Sequence, residues 1–463
     1  MATTDSEREL TNETAEQRWR RTVRFTPLRG GFVYRPGELI IERSALERLV
    51  QEVDGVELTQ TDLDGDLMLI GEVGDSVNLA HVLTTEGFRA QVNHVVFAAS
   101  NVVGAHPSTW PHPSTWPHPS TWPHPSTWPH PSTWPHAGSG GCGCDCGCES
   151  KAPRGCGPAQ PATEPKPPTS SSVDVTRSER ALLRSADATA PDPVRVVVLD
   201  TGLAPTSMGG GAMPQVSAMK AGDWGPTKPG TQTDNIDFPD ADHNTWLDVV
   251  AGHGTFIAGI ITRLAPLAVV TVGKVLEYTG EGNDADLAWR INRLADTGCP
   301  EILALSCSCY TDNDEAPIAL RQAIERVQQG GTLVVAAAGN EATCRVSWPS
   351  ALPGVIAVGA LGPDGPAPFT NYGDWVNACA PGVDIVSRFF DGVDVHDDGN
   401  AATADFRGWA RWSGTSFSAP IVAAAIAREA ALYGISIAAA AERVVWDKRL
   451  FRIPGLGTVV NMH

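Results

Sequence analysis

The sequence predicts a doubly wound α/β domain, with a mostly parallel sheet and helices on both faces, preceded by a small α+β domain. Three observations carry this. From about residue 194, short continuous apolar runs alternate with segments of helical periodicity. Residues 32–98 instead read as strands and helices in the order β-α-β-β-α-β. Residues 101–190, between them, are too rich in Pro, Ser, Thr, Gly and Cys to build a core.

Residues 1–21 are charged and expected to be disordered. The first domain spans 22–100. Within it, 37–42 reads as a strand. Ser44-Ala45-Leu46-Glu47 predicts a capping box, with Ser and Glu three apart. The helix it opens has Leu46, Leu49, Val50 and Val53 on one face. Residues 56–63 and 66–73 read as strands joined at Asp64-Gly65, a strong hairpin signal. A second helix is expected near 77–86 and a last strand at 92–98. This order is that of a ferredoxin-like unit.

The linker, 101–190, repeats His-Pro-Ser-Thr-Trp-Pro five times from His106 to Pro135. Proline disfavours helix and central strand at every step, which leaves polyproline II. The six-residue period then aligns Trp110, Trp116, Trp122, Trp128 and Trp134 on one stripe, about 19 Å apart. Replication slippage in a tolerated linker and a multivalent Trp/His display both fit this pattern. Cys142, Cys144, Cys146 and Cys148 follow, too closely spaced for a disulfide framework and without zinc-finger spacing. They leave soft-metal binding open.

The second domain spans 191–463. Runs 194–199, 269–275, 302–306, 333–338 and 355–358 suit strands buried on both faces of a parallel sheet. Segments 284–294 and 317–328 between them carry helical periodicity. Bulk composition bounds the function. The formal net charge is −19, which leaves no basic excess for nucleic acid. The N-terminus is polar and acidic, unlike a secretory signal. No stretch reaches the roughly 18 apolar residues of a membrane span. A cytoplasmic location is expected, with non-standard export left open; oligomeric state is unknown.

Three segments of this domain carry chemistry. They are Leu199-Asp200-Thr201-Gly202, Gly252-His253-Gly254-Thr255 and Gly414-Thr415-Ser416-Phe417-Ser418-Ala419-Pro420. They supply a carboxylate, an imidazole and a hydroxyl. A serine hydroxyl needs an adjacent base, and the base needs an acceptor on its other nitrogen. Asp200 is expected at a strand's carboxyl end, where α/β sheets build sites. His253 is expected in a turn, and Ser416 just before a long helix over 419–430.

These segments resemble the signatures of the subtilisin-like (subtilase) serine proteases over residues 194–460. The resemblance implies a subtilisin-like fold and a serine endopeptidase acting on peptides or proteins. Asp200, His253 and Ser416 would form its triad. Ala336-Ala-Ala-Gly-Asn340 resembles the family's oxyanion strand, so Asn340 would be the side-chain donor. Leu305, Ser306 and Gly339 resemble the walls of the S1 cleft, with an open, apolar S1 expected; Glu341 would also tolerate a basic side chain. Cys307-Ser308-Cys309 stands where the family has the glycines of its substrate-pairing strand, so Cys307 and Ser308 join the substrate-binding residues. On that alignment Cys309 and Cys344 lie on neighbouring walls; a disulfide and two free thiols are both open. The first domain resembles the family's propeptide, which implies latency and autoprocessing; a docking domain that stays attached is the alternative.

Two departures stand out. The family's calcium loop after the His helix is missing, which leaves calcium dependence uncertain; no cofactor is required. The interval between Asp200 and His253 is long and holds an acidic run, 234–248, read as a solvated loop rather than a cation site. The alternative to a protease is a catalytically silent scaffold displaying the repeat.

Overall fold

The structure is a computed structural model that describes residues 24–26, 32–53, 57–98, 159–164, 193–205, 213–220, 235–241, 247–397 and 400–461. The His-Pro-Ser-Thr-Trp-Pro repeats and the run Cys142 to Cys148 lie outside the described residues.

The N-terminal unit holds β1 (Arg24–Thr26), β2 (Phe32–Glu42), α1 (Leu46–Glu52), β3 (Thr59–Asp62), β4 (Leu67–Gly71), α2 (Ser76–Thr85) and β5 (Ala90–Ala98). Its antiparallel sheet runs β5-β2-β4-β3, with β1 paired to β2. Asp64 and Gly65 both take positive φ, 76° and 61°, in a three-residue loop that joins β3 to β4. The capping box does not form. Ser44 sits in a 3-10 turn, and its hydroxyl donates to Glu42 instead. Val50 is 51% exposed, so α1 rests on Leu49 with Leu46 and Val53 half-buried.

Alternation explains how this sheet packs. Leu39 and Ile41 of β2 and Met68 and Ile70 of β4 face α1 and α2. Ile40, Leu67 and Leu69 point the other way, into a cluster shared with the second unit. Both faces are therefore covered.

The second unit is built on one large sheet. Its strands are β7 (Arg195–Asp200), β8 (Val216–Ala218), β9 (Val269–Lys274), β11 (Ile302–Leu305), β13 (Leu333–Ala337), β14 (Val355–Gly362), β15 (Ala378–Pro381), β18 (Arg452–Ile453) and β19 (Gly457–Val459). The order is β18-β19-β15-β14-β13-β11-β7-β9-β8, parallel throughout except β18 against β19. Val196 and Val198 pack towards α3 (His253–Leu264) and α6 (Thr415–Tyr433). Val197 and Leu199 pack towards α4 (Asp284–Thr297) and α5 (Ile318–Gln329). A continuous apolar strand is the result of burying both faces. The winding reverses beside β7, and the loops there open at the strands' carboxyl ends.

Three further elements frame that end. Short strands β10 (Glu281–Asn283) and β12 (Cys307–Ser308) both pair with β5. A long hairpin, β16 (Ile385–Asp397) and β17 (Asn400–Trp412), packs on α3, and β6 (Gln160–Pro161) pairs with β17. No single described helix is long and apolar enough to cross a membrane.

Candidate active site

Asp200 ends β7, and His253 is the first residue of α3 rather than part of a free turn. Ser416 is the second residue of α6, inside its first turn rather than before it. All three are fully buried. The imidazole Nδ1 of His253 lies 2.7 Å from Asp200 Oδ1. The Thr201 N–H donates to that same oxygen at 2.8 Å, which fixes the carboxylate plane. His253 Nε2 is buried with no hydrogen-bond partner among the described residues. The Ser416 hydroxyl donates to the Ser306 carbonyl at 3.3 Å, a long contact. Such bonds are often loose before substrate is present.

The imidazole is held by rings. Trp412 meets it edge-on at 5.3 Å between centroids, and Phe417, next to Ser416, lies at 5.3 Å. These side chains pack apolar rings around a polar pair.

The backbone approaches so closely that two glycines are obligatory. Gly202 has φ +103°, and a Cβ there would sit 2.8 Å from the Asn235 carbonyl. A Cβ on Gly254 would collide with the Gly202 carbonyl. The acidic interval is not a solvated loop in its described part: Asn235, Asp237 and Asp248 are buried, and Asp237 bonds Thr201 and Gly252 of the two motifs.

Asn340 follows β13 and is 2% exposed. Its Oδ1 accepts from the Thr415 N–H at 2.9 Å and the Thr415 hydroxyl at 3.0 Å. That orients the amide and leaves its Nδ2 buried without a partner among the described residues. A buried amide donor left unpaired is costly and calls for an explanation. Beside it, in the first turn of α6, the Phe417 N–H donates to Gly414 O at 3.1 Å, and the Ser416 N–H is one of the first N–H groups, which an α-helix does not itself satisfy.

Of the expected substrate-binding residues, Cys307 and Ser308 flank the end of β5. Ala98 pairs with Cys307 and Phe97 with Ser308; on the other side Phe97, Val96 and Val95 pair with Glu281, Gly282 and Asn283. Leu305 is fully buried in an apolar cluster that includes Val96 and Ala98. Ser306 both accepts from Ser416 and donates its hydroxyl to the Ser416 carbonyl at 3.0 Å. On its Cβ side Gly339 faces polar groups. A Cβ there would meet the Asn371 amide and, at 2.7 Å, Glu341 Oε2. That carboxylate accepts from the Tyr310 hydroxyl and Asn371 Nδ2, both at 2.9 Å, and burial raises its pKa. Asn371 lies in Phe369-Thr-Asn-Tyr-Gly373, which resembles a landmark of the same family, whereas Tyr310 carried no local signal that tied it to the motifs.

Cys309 and Cys344 are not bridged. Both are free thiols; Cys309 is buried in the core beside Trp348, while Cys344 is exposed. Burial pushes the Cys309 thiol well up, and burial with the Asp200 charge does the same to Cys307. Neither is poised as a thiolate.

A second buried pair escaped the sequence reading. His94 of β5 and Asp284 of α4 meet across the two units, Nδ1 to Oδ2 at 3.0 Å, and the His94 N–H donates to Asp284 Oδ1 at 3.1 Å. Burial pushes the Asp284 carboxyl up, opposed by its bonds to His94.

Comparison with known proteins bears on this site. The chain is 36% identical over 199 residues to the thermophilic serine proteinase of Bacillus sp. strain AK1, covering 40% of this chain and 44% of that protein. It is 29% identical over 206 residues to subtilisin Savinase of Lederbergia lenta, covering 42% and 66%. It therefore spans less than two thirds of the length of these relatives. Among solved structures, a lanthipeptide protease aligns at TM-score 0.46 and 20% identity over 63% of this chain and 89% of that one. A cold-adapted subtilisin-like serine proteinase aligns at 0.42 and 21%, over 60% and 92%. The subtilase family model matches residues 192–443, more than half of the chain, and the chain belongs to the subtilase family.

Proposed function

We propose that the chain is a serine endopeptidase that hydrolyses peptide bonds through an acyl-enzyme on Ser416. The observation that carries this is the buried, unpaired Asn340 Nδ2, oriented by Thr415 next to the first turn of α6. It is a preorganised donor for a charge that exists only during reaction.

The steps follow from the site. A χ1 rotation swings Ser416 Oγ from the Ser306 carbonyl towards His253 Nε2. Oγ attacks the scissile carbonyl carbon while its proton passes to Nε2. Asp200, bonded to Nδ1, stabilises the imidazolium. Asn340 Nδ2 and the Ser416 N–H receive the oxyanion. The C–N bond then breaks as Nε2 returns the proton to the leaving amine. Water repeats the sequence on the ester and frees Ser416. The reaction needs no cofactor.

The N-terminal unit, with its ferredoxin-like order, is read as a propeptide-like inhibitor. Its β5 lies between β10 and β12, where a peptide would add as a strand. Autoprocessing near the end of β5 would convert the latent form.

The test is labelling by a fluorophosphonate probe, on the full chain and after cleavage within 99–158, with Ser416→Ala as control. Labelling that depends on Ser416 and rises after release of residues 32–98 is expected. No Ser416-dependent label in either form sinks the proposal.

A further inference from the structure

The acidic interval before His253 contributes one carboxylate to the heart of the molecule. Asp237 is 1% exposed. Its Oδ2 accepts from the Thr201 hydroxyl at 2.6 Å and from the Gly252 N–H at 2.8 Å. Thr201 Oγ1 in turn accepts from the Gly254 N–H at 3.1 Å. Thr201 directly follows Asp200, and Gly252 and Gly254 flank His253. A single oxygen thus gathers the neighbours of both residues.

The segment that carries it is itself anchored. Leu203 N–H donates to Asn235 O at 2.9 Å, and Asp237 N–H donates to Leu203 O at 3.0 Å. Asn235 Oδ1 accepts from Lys274 N–H at 2.7 Å, and its Nδ2 donates to Met219 O at 2.7 Å. The strap is therefore fixed to β9, to the end of β8 and to the turn after β7. Asp237 has no hydrogen bond to His253, Asp200 or Ser416 side chains, so any effect on them passes through Thr201, Gly252 and Gly254.

We propose that Asp237 is a positioning residue that straps the turn after Asp200 to the turn around His253 and so sets their mutual hydrogen bond. The role rests on the reading of Asp200 and His253 as a catalytic pair. Its test does not depend on hydrolysis. Each buried imidazole bonded to a carboxylate holds one proton that resonates far downfield; here these are the protons of His253 with Asp200 and of His94 with Asp284. The spectrum is recorded on the full chain carrying Ser416→Ala, where the His94 signal serves as internal reference.

In Asp237→Ala and Thr201→Val the His253 signal is expected to shift or vanish while the His94 signal stays. Thr201→Ser, which keeps the hydroxyl, restores it. Asp237→Asn keeps an accepting oxygen and retains it. With Ser416 present, fluorophosphonate labelling of Asp237→Ala slows about 100-fold, the cost of a displacement near 1 Å. An unchanged His253 signal in Asp237→Ala, with the His94 signal intact, overturns the proposal. If both signals vanish, the variant has unfolded, and Thr201→Val against Thr201→Ser decides by the same criterion. Absence of the His253 signal from the parent also overturns it.

Discussion

Among the described residues two histidine–carboxylate pairs are buried, and they differ in the groups that surround them. His253 and Asp200 sit at the carboxyl end of a parallel sheet, with Ser416 on the neighbouring helix terminus and a free amide donor at Asn340. His94 and Asp284 sit between two units and have backbone on both sides: Asp284 accepts the His94 N–H, and Ala285 N–H donates to Asn93 at 3.3 Å. Both imidazoles leave Nε2 without a partner among the described residues. The proposed mechanism therefore rests on more than a buried Asp–His pair. The hydroxyl and the oriented donor beside it make the difference.

The comparison can be broken most sharply at the serine. Ser416→Ala is expected to remove turnover by up to about 10⁶-fold, measured as peptide hydrolysis after release of the N-terminal unit. His253→Ala should match it, whereas His94→Ala should leave the released enzyme at full rate. Equal loss from both histidines would erase the distinction. Asn340→Ala is next, at about 10² to 10³-fold in kcat with little change in KM.

His94→Ala acts on stability instead. It strands Asp284 in the interface and is expected to cost about 3–5 kcal/mol of the coupling between units, read by denaturant unfolding. Asp237 yields a pH signature. Burial, opposed mainly by the Thr201 bond, pushes its carboxyl up to about 7 from an ordinary 3.8. Between these values the folded state holds a proton that the unfolded state has released. The contribution to stability is thus full below about pH 4 and is lost as pH rises through about 7. Relative to Asp237→Asn, the wild type should lose about 1.4 kcal/mol per pH unit across that window. A flat difference would contradict the shift. The smallest effect belongs to the rim of the unit interface. Asp66, mostly exposed, meets Arg89 and Gln322, and Asp66→Asn should cost no more than about 1 kcal/mol.

Much of this was legible in order along the chain, for reasons that are local. The run 195–200 is continuously apolar because Val196 and Val198 face one helical layer and Val197 and Leu199 the other. Asp64-Gly65 declares its turn because both residues must adopt positive φ. The triad segments carry their own glycines because Gly202, Gly254 and Asn235 crowd one another. What stayed hidden depends on partners far away in sequence. Ser44 had the spacing of a cap, but Arg43 N–H is drawn to Asp66 O at 2.7 Å and the chain enters a tight turn first. Asp237 resembled any acid of a polar interval, since its partners come from residues 201 and 252. The Cys309–Cys344 pairing rested on an alignment of walls, and one thiol faces the core while the other faces out.

Strands β10 and β12, three and two residues long, are both strands by virtue of β5 between them. A segment of the same chain fills that slot, so it is present at an effective concentration on the order of millimolar. Any peptide that needs the slot competes at that level, whatever its own fit. One cut between residues 98 and 159 changes the arithmetic without altering a contact among the described residues. Occupancy then depends on how much of the released unit is in solution, and dilution alone empties the slot.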